Sequence, residues 1–160
     1  MEAPPDVTSD NQLLHAKELH IQVRNISKLY TDDTGRFPVR ERSVNQYVMI
    51  AYHWDLNVIL ACPFSSRKDT HRLGTYNTIM ERLKIRDQHV DLQVMDNEAS
   101  AAYQRQITDK WKSDLQLVPS NIHRHNTAER AIRMFKAHFL AILAVVAPDY
   151  PRNLWDLIIP

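Results

Sequence analysis

Along the chain, apolar and polar positions alternate in two distinct rhythms. From Ile26 the pattern is strand-like and reaches Tyr30-Thr31-Asp32-Asp33. Gly35 and Pro38 then break it, one by turn freedom and the other by removing a donor. Residues 46–52 and 57–62 are β-branched and aromatic runs of strand length. The short segment between them suits an antiparallel hairpin. A helix follows, with Ser65 or Ser66 as its cap, and Leu73, Tyr76, Ile79, Met80 and Leu83 carry it to about Ile85 at helical spacing. Residues 90–95 predict a short strand that ends on Asp96, 99–112 a second helix, and 115–118 a strand stopped by Pro119.

The longest helix is predicted from Asn126 to about Val146. Ala128, Ile132, Phe135, Phe139, Ile142 and Val146 form its apolar stripe, and Glu129, Arg133 and Lys136 share a neighbouring face. Pro148 ends it, and Pro151-Arg152-Asn153-Leu154-Trp155 opens a further element. The order β-β-β-α-β-α-β-α is a mixed α/β layout, with three antiparallel strands first and then two strands alternating with helices, which favours parallel pairing. Residues 1–22 form a weakly patterned lead-in, with a short helix expected over 12–20; residues 23–160 form one domain whose last element is cut short.

Bulk properties exclude more than they assign. A chain of 160 residues, 44% apolar and 24% charged, is long enough for a core without disulfides or a structural metal. No apolar run reaches membrane-spanning length, and the first residues lack a signal peptide's basic and apolar stretches. Cys62 is the only cysteine, which excludes an internal disulfide and any zinc module built on two cysteines, and favours a reducing compartment. Net charge is only +1, yet between His123 and His138 the cations Arg124, Arg130, Arg133 and Lys136 meet a single acid, Glu129. That segment is where a polyanion would bind.

Two acids terminate predicted strands, Asp32 and Asp96, and a third, Glu129, sits in the first turn of the basic helix. Open α/β sheets place their sites at the carboxyl ends of strands. Converging carboxylates need cations, and hard oxygen donors suit Mg²⁺ or Mn²⁺. Each acid also has an ordinary reading: a strand-end Asp as a turn residue, Glu129 as a partner of the helix dipole. The same holds for Arg130, Arg133 and Lys136, which are either phosphate contacts or a solvated face with a Glu129–Arg133 pair. His123 and Arg124 precede the helix as DNA contacts or as surface polar groups. Arg67 and Lys68 are equally a phosphate contact or a helix-start surface. Trp54, Trp111 and Trp155 read as packing residues.

The words around the acids resemble a known family. Asp32-Asp33-Thr34-Gly35-Arg36-Phe37-Pro38 resembles the Asp-x-x-Gly-Pro stretch that opens the integrase catalytic core of retroviruses and copia-like long-terminal-repeat retrotransposons. Asp96-Asn97-Glu98 resembles its Asp-Asn-Gly-x-Glu stretch, and Asn126-Thr127-Ala128-Glu129-Arg130 its Asn-Gly-x-x-Glu-Arg stretch. Asp96 and Glu129 are separated by 32 residues, close to the family spacing. The resemblance covers residues 26–160 and implies an RNase H-like fold with a mixed five-stranded sheet flanked by helices. It further implies metal-dependent DNA end processing and strand transfer, with Asp32, Asp96 and Glu129 as catalytic metal ligands for Mg²⁺ or Mn²⁺. Asp33 is the alternative first ligand, and the spacing to Gly35 selects Asp32. DNA (retroelement ends and target DNA) and a second copy of the chain are the implied partners, and a nuclear or cytoplasmic location follows by the same analogy.

Departures from the pattern leave a second reading open. Arg36, Glu98 and Thr127 stand where the family has Pro, Gly and Gly, and the chain holds only two glycines, Gly35 and Gly74. Neither a zinc-binding module nor a C-terminal DNA-binding region lies in this stretch. The alternatives are therefore a catalytically inactive integrase remnant that only binds nucleic acid, or another RNase H-like nuclease acting on RNA–DNA hybrids.

Overall fold

A computed structural model of the chain describes residues 26–97, 99–118 and 126–159, with the side chains of 126–128 excluded. The helix expected over 12–20, together with His123 and Arg124, lies outside the described residues. Three strands come first: β1 (Lys28–Asp33), β2 (Tyr47–His53) and β3 (Val58–Phe64). Helix α1 (Asp69–Ile85) leads to β4 (Leu92–Asp96). Helix α2 (Ala101–Arg105), continued by a π-helical turn over Gln106–Lys110, leads to β5 (Asp114–Val118). Helix α3 (Asn126–Val145) and a 3₁₀ helix over Arg152–Ile158 complete the described chain. Among the described residues no helix is long and apolar enough to cross a membrane.

The five strands form one sheet in the order β3-β2-β1-β4-β5. β1–β2 and β2–β3 pair antiparallel, β1–β4 and β4–β5 parallel. This is the mixed sheet that the sequence predicts. Strand alternation then sorts side chains to two faces. Leu29, Met49, Ala51, Cys62, Phe64 and Met95 face α1 and α2, where they pack with Tyr76, Ile79, Leu83, Tyr103 and Ile107. Val48, Ile50 and Ala61 face α3 and pack with Ile132, Phe135, Phe139 and Trp155. Three buried residues of the predicted α3 stripe are thus in place. Ile142 is only half-buried, as is Val146, which lies just past the end of the helix.

Three expectations need correction. Neither Ser65 nor Ser66 caps α1: the helix begins after Lys68, without a side-chain cap. Both hydroxyls instead meet Nδ1 of His71, at 2.8 and 2.9 Å, and the Ser66 hydroxyl also accepts from the Lys68 N–H (3.3 Å), ahead of the first helical residue. The helix expected over 99–112 is shorter and changes its winding midway. Ser100 caps it by accepting from the Tyr103 backbone N–H, and the π turn then widens the coil so that Ile107 is fully buried. Trp54 is half exposed, beside Tyr30 and Tyr52 at the hairpin tip, and is no core residue. Trp111 donates its indole N–H to Asn77 Oδ1 (2.9 Å), and Trp155 is buried, as packing residues are.

The scarcity of glycine is met by other residues in left-handed backbone: Val44 (φ 68°), Asn57 (51°), Asp87 (56°) and Lys112 (56°). Asn and Asp tolerate that region, whereas a β-branched Val does not. Val44 is held there by a turn built on buried Glu41. The Glu41 carboxylate accepts from Ser43 N–H (2.8 Å) and Asn45 Nδ2 (3.0 Å), and its carbonyl from Val44 N–H (2.9 Å).

Candidate active site

β1 and β4 lie side by side and parallel, with Tyr30 paired to Val94. Two residues further on, the same register sets Asp32 next to Asp96, at the carboxyl ends of both strands. A buried polar network fixes that register. Gln93 Nε2 donates to Thr31 Oγ1 (2.8 Å), and Gln93 Oε1 accepts from the Tyr76 hydroxyl (3.2 Å). Gln93 is fully buried, so breaking this network leaves unpaired polar groups inside the core.

A cavity of about 70 Å³ opens over these strand ends. Its walls carry Asp32, Asp33 and Asp96 together with Arg67, Arg72, Met49 and Tyr103. The two adjacent acids of β1 are differently placed. Asp33 pairs in register with Met49 and so belongs to the α1 face; Asp32 pairs with Ile50 and belongs to the α3 face. Asp33 Oδ2 stands 2.9 Å from Arg72 Nε as an ion pair, though not aligned as a hydrogen bond. The Arg72 guanidinium also lies over the Tyr103 ring, 5.7 Å from its centroid.

Asp32 is held by its neighbour's backbone: the Asp33 N–H donates to Asp32 Oδ1 at 2.7 Å. Burial pushes the Asp32 carboxyl above the ordinary range, and the charges of Asp96 and Asp33 push it further; the Asp33 N–H and Arg67 act against that. Negative charge is therefore concentrated at this point. Beyond Asp33 the chain turns on Thr34, whose N–H donates to the Val48 carbonyl while its hydroxyl accepts from Val48 N–H, both at 2.9 Å. Gly35 has ordinary backbone and open space where a Cβ would stand, so this turn does not require glycine. Arg36, in place of the family's proline, is tied to Gln46 Oε1 through Nε (3.1 Å) and Nη2 (2.9 Å).

Glu129 lies in the first turn of α3, exposed and outside the cavity wall. Among the described residues no three His, Cys, Asp or Glu side chains are gathered closely enough to hold one ion. The structure thus brings Asp32 and Asp96 together and leaves Glu129 on the helix that covers their face of the sheet. Arg130, Arg133 and Lys136 are exposed on that helix, and Lys136 borders a groove with Gly35, Arg36 and Phe37. Arg72 had not been singled out from the sequence. Its signal is position: 72, 76, 79 and 83 follow the helical rhythm, so Arg72 falls on the apolar stripe of α1, where a cation needs a buried acid.

No protein-family model matches the chain, and no curated protein matches its sequence. Solved structures do resemble it. The catalytic core domain of BIV integrase superposes with a TM-score of 0.57 at 14% identity, covering 75% of this chain and 73% of that one. The HTLV-2 integrase catalytic core domain in complex with magnesium, in a dimeric form, gives 0.56 at 10% identity, covering 81% and 79%. A chain of the simian T-cell lymphotropic virus intasome, solved with PP2A regulatory subunit B56 gamma, gives 0.57 at 12% identity; 82% of this chain matches 46% of that one. The likeness is one of architecture, and the chain has the RNase H-like fold of retroviral integrase catalytic cores.

Proposed function

We propose that this chain is the core of a divalent-metal-dependent polynucleotidyl transferase that processes DNA ends and joins them to target DNA. We read residues 23–160 as that core and 1–22 as its lead-in. The observation that carries the proposal is that Asp32 and Asp96, near the ends of adjacent parallel strands, line one cavity walled also by two arginines. The donors fit Mg²⁺ or Mn²⁺: all are hard carboxylate oxygens, and burial together with the neighbouring carboxylates disfavours the ionised form of Asp32 unless a cation is near. The magnesium in the HTLV-2 integrase core of similar fold supports the same assignment.

Asp32 and Asp96 would hold the metal from the sheet, and Glu129 from the first turn of α3. Metal bound there supplies Lewis-acid activation of an attacking oxygen and stabilisation of the leaving oxygen. The remaining work falls to the chain itself. Asp33, neutralised by Arg72, leaves Asp32 as the first-strand ligand. Arg130, Arg133 and Lys136 hold phosphates along α3, with His123 and Arg124 ahead of it, and position the strand without reading its sequence. A second copy of the chain is the expected protein partner.

The test is strand joining on a branched DNA substrate with Mn²⁺, comparing wild type, Glu129→Gln and a no-metal control. Metal-dependent joining that disappears in Glu129→Gln is expected; joining retained in that variant would refute the site. Binding is read separately. Mg²⁺ or Mn²⁺ raises the melting temperature of wild type and not of Asp32→Asn, since a ligand stabilises only the state that binds it. A second reading, a nucleic-acid-binding core without catalysis, draws on the position of Glu129 outside the cavity wall. It predicts salt-sensitive DNA binding, no joining and no thermal response to metal.

A further inference from the structure

Two arginines wall the cavity, and they are employed differently. Arg72 is committed to Asp33 and to the Tyr103 ring. Arg67, exposed in the segment between β3 and α1, is held in place without being neutralised. Its Nη2 donates to the Thr34 carbonyl (3.3 Å), and its guanidinium lies 5.4 Å from the Tyr47 ring centroid. Among the described residues it forms no ion pair. It lines the same cavity as Asp32 and Asp96, so it stands at the site. A guanidinium carries five N–H donors, and one is used here.

We propose that Arg67 is the anchor for an internucleotide phosphate of the DNA strand entering the cavity. The proposal rests on the polynucleotidyl transferase reading above and adds a residue to it. A cavity lined by three aspartates repels a phosphodiester, so a strand approaching it needs a fixed cation at the rim. Arg67 is the arginine on that wall with its charge still to offer, and its contacts to Thr34 and Tyr47 fix the fork before the strand arrives. Arginine in such a setting binds phosphate through two parallel N–H bonds, which a lysine cannot reproduce.

The experiment measures binding of a fluorescein-labelled branched DNA by anisotropy across a KCl series in EDTA. It uses the Glu129→Gln background so that no turnover intervenes. Arg67→Gln keeps an N–H donor for the Thr34 carbonyl while removing the charge, and a circular-dichroism melt verifies its fold. Its salt slope is expected to fall by about 0.9, the contribution of one phosphate contact, with affinity reduced several-fold. Arg67→Lys restores the slope but not the joining rate measured with Glu129 intact. Lys84→Ala, at the far end of α1, leaves the slope unchanged. An unaltered slope in Arg67→Gln, or an equal fall in Lys84→Ala, would overturn the proposal. If joining is lost in Glu129→Gln while the Arg67→Gln slope is unaltered, this inference fails and the metal chemistry stands.

Discussion

Replacing Arg72 with methionine removes the guanidinium from the cavity wall and keeps an unbranched stem in its place. The Asp33 side chain is 7% exposed and that of Arg72 20%, so the carboxylate left behind is a buried charge that has lost the Arg72 cation. Breaking a buried pair from one side costs about 3–5 kcal/mol, and the lost stack on Tyr103 adds about 0.5–1 kcal/mol. For a domain of this size each kcal/mol lowers the melting temperature by about 2–4 °C, which makes a fall of roughly 7–24 °C. The assay is urea unfolding of wild type, Arg72→Met, Asp33→Asn and the double variant. The double variant should recover most of the loss, because the stranded charge is what costs stability and not the missing attraction. A single-variant cost below about 1 kcal/mol, or a double variant no better than the sum of the singles, would refute this account of the pair.

Other perturbations read other parts of the molecule. Trp155 stacks on Phe37 (4.5 Å, 9°) and donates its indole N–H to the Val39 carbonyl (2.9 Å). Trp155→Ala should therefore cost about 3–5 kcal/mol in urea unfolding, and Trp155→Phe clearly less; equal costs would contradict the stacking role. Val44→Asn relieves a left-handed β-branched residue and should raise the melting temperature by about 2–4 °C, corresponding to about 1 kcal/mol; a fall would show that the turn draws on the Val44 side chain. His53 is buried, and burial holds its imidazole below the ordinary 6.5 despite the opposing charge of Asp55. The unfolded chain then takes up a proton that the folded one refuses, so this contribution to stability is whole above 6.5 and is lost as pH falls below it. Urea midpoints should drop between about pH 7.5 and pH 5.5 in wild type, and less in His53→Gln; parallel drops would remove His53 as the cause.

What the sequence conveyed depended on whether the governing interaction was local. The β2–β3 hairpin and the buried stripe of α3 were legible because alternation and helical spacing are repeated over many residues. The start of α1 lies past both serines, since a serine before a helix looks the same whether its hydroxyl meets the first-turn N–H groups or, as here, His71. Apolar periodicity over 99–112 could not reveal the π turn, which rests on a contact between distant segments: Asn77 Oδ1 accepts from Gln106 Nε2 (2.7 Å) and from the Trp111 indole. Strand ends and motif words pointed to Asp32 and Asp96, which the fold brings to one cavity. The separation of Asp32 from Asp33 needed the register to β2 and the partner on α1, both non-local. Arg67 looked like any helix-start cation until Thr34 and Tyr47 were seen to hold it.

The central place of β1 also orders the events of folding. β1, β2 and β3 join through consecutive antiparallel pairings, contacts of short loop closure that form early in a search limited by chain entropy. β4 reaches β1 only by a parallel crossover, sealed by the Gln93–Thr31 hydrogen bond between residues 62 apart in sequence. By this argument Asp32 is placed with the meander and Asp96 only with the parallel pairing that closes the longer loop. On this ordering, the cavity that Asp32 and Asp96 share is complete only once the sheet is closed.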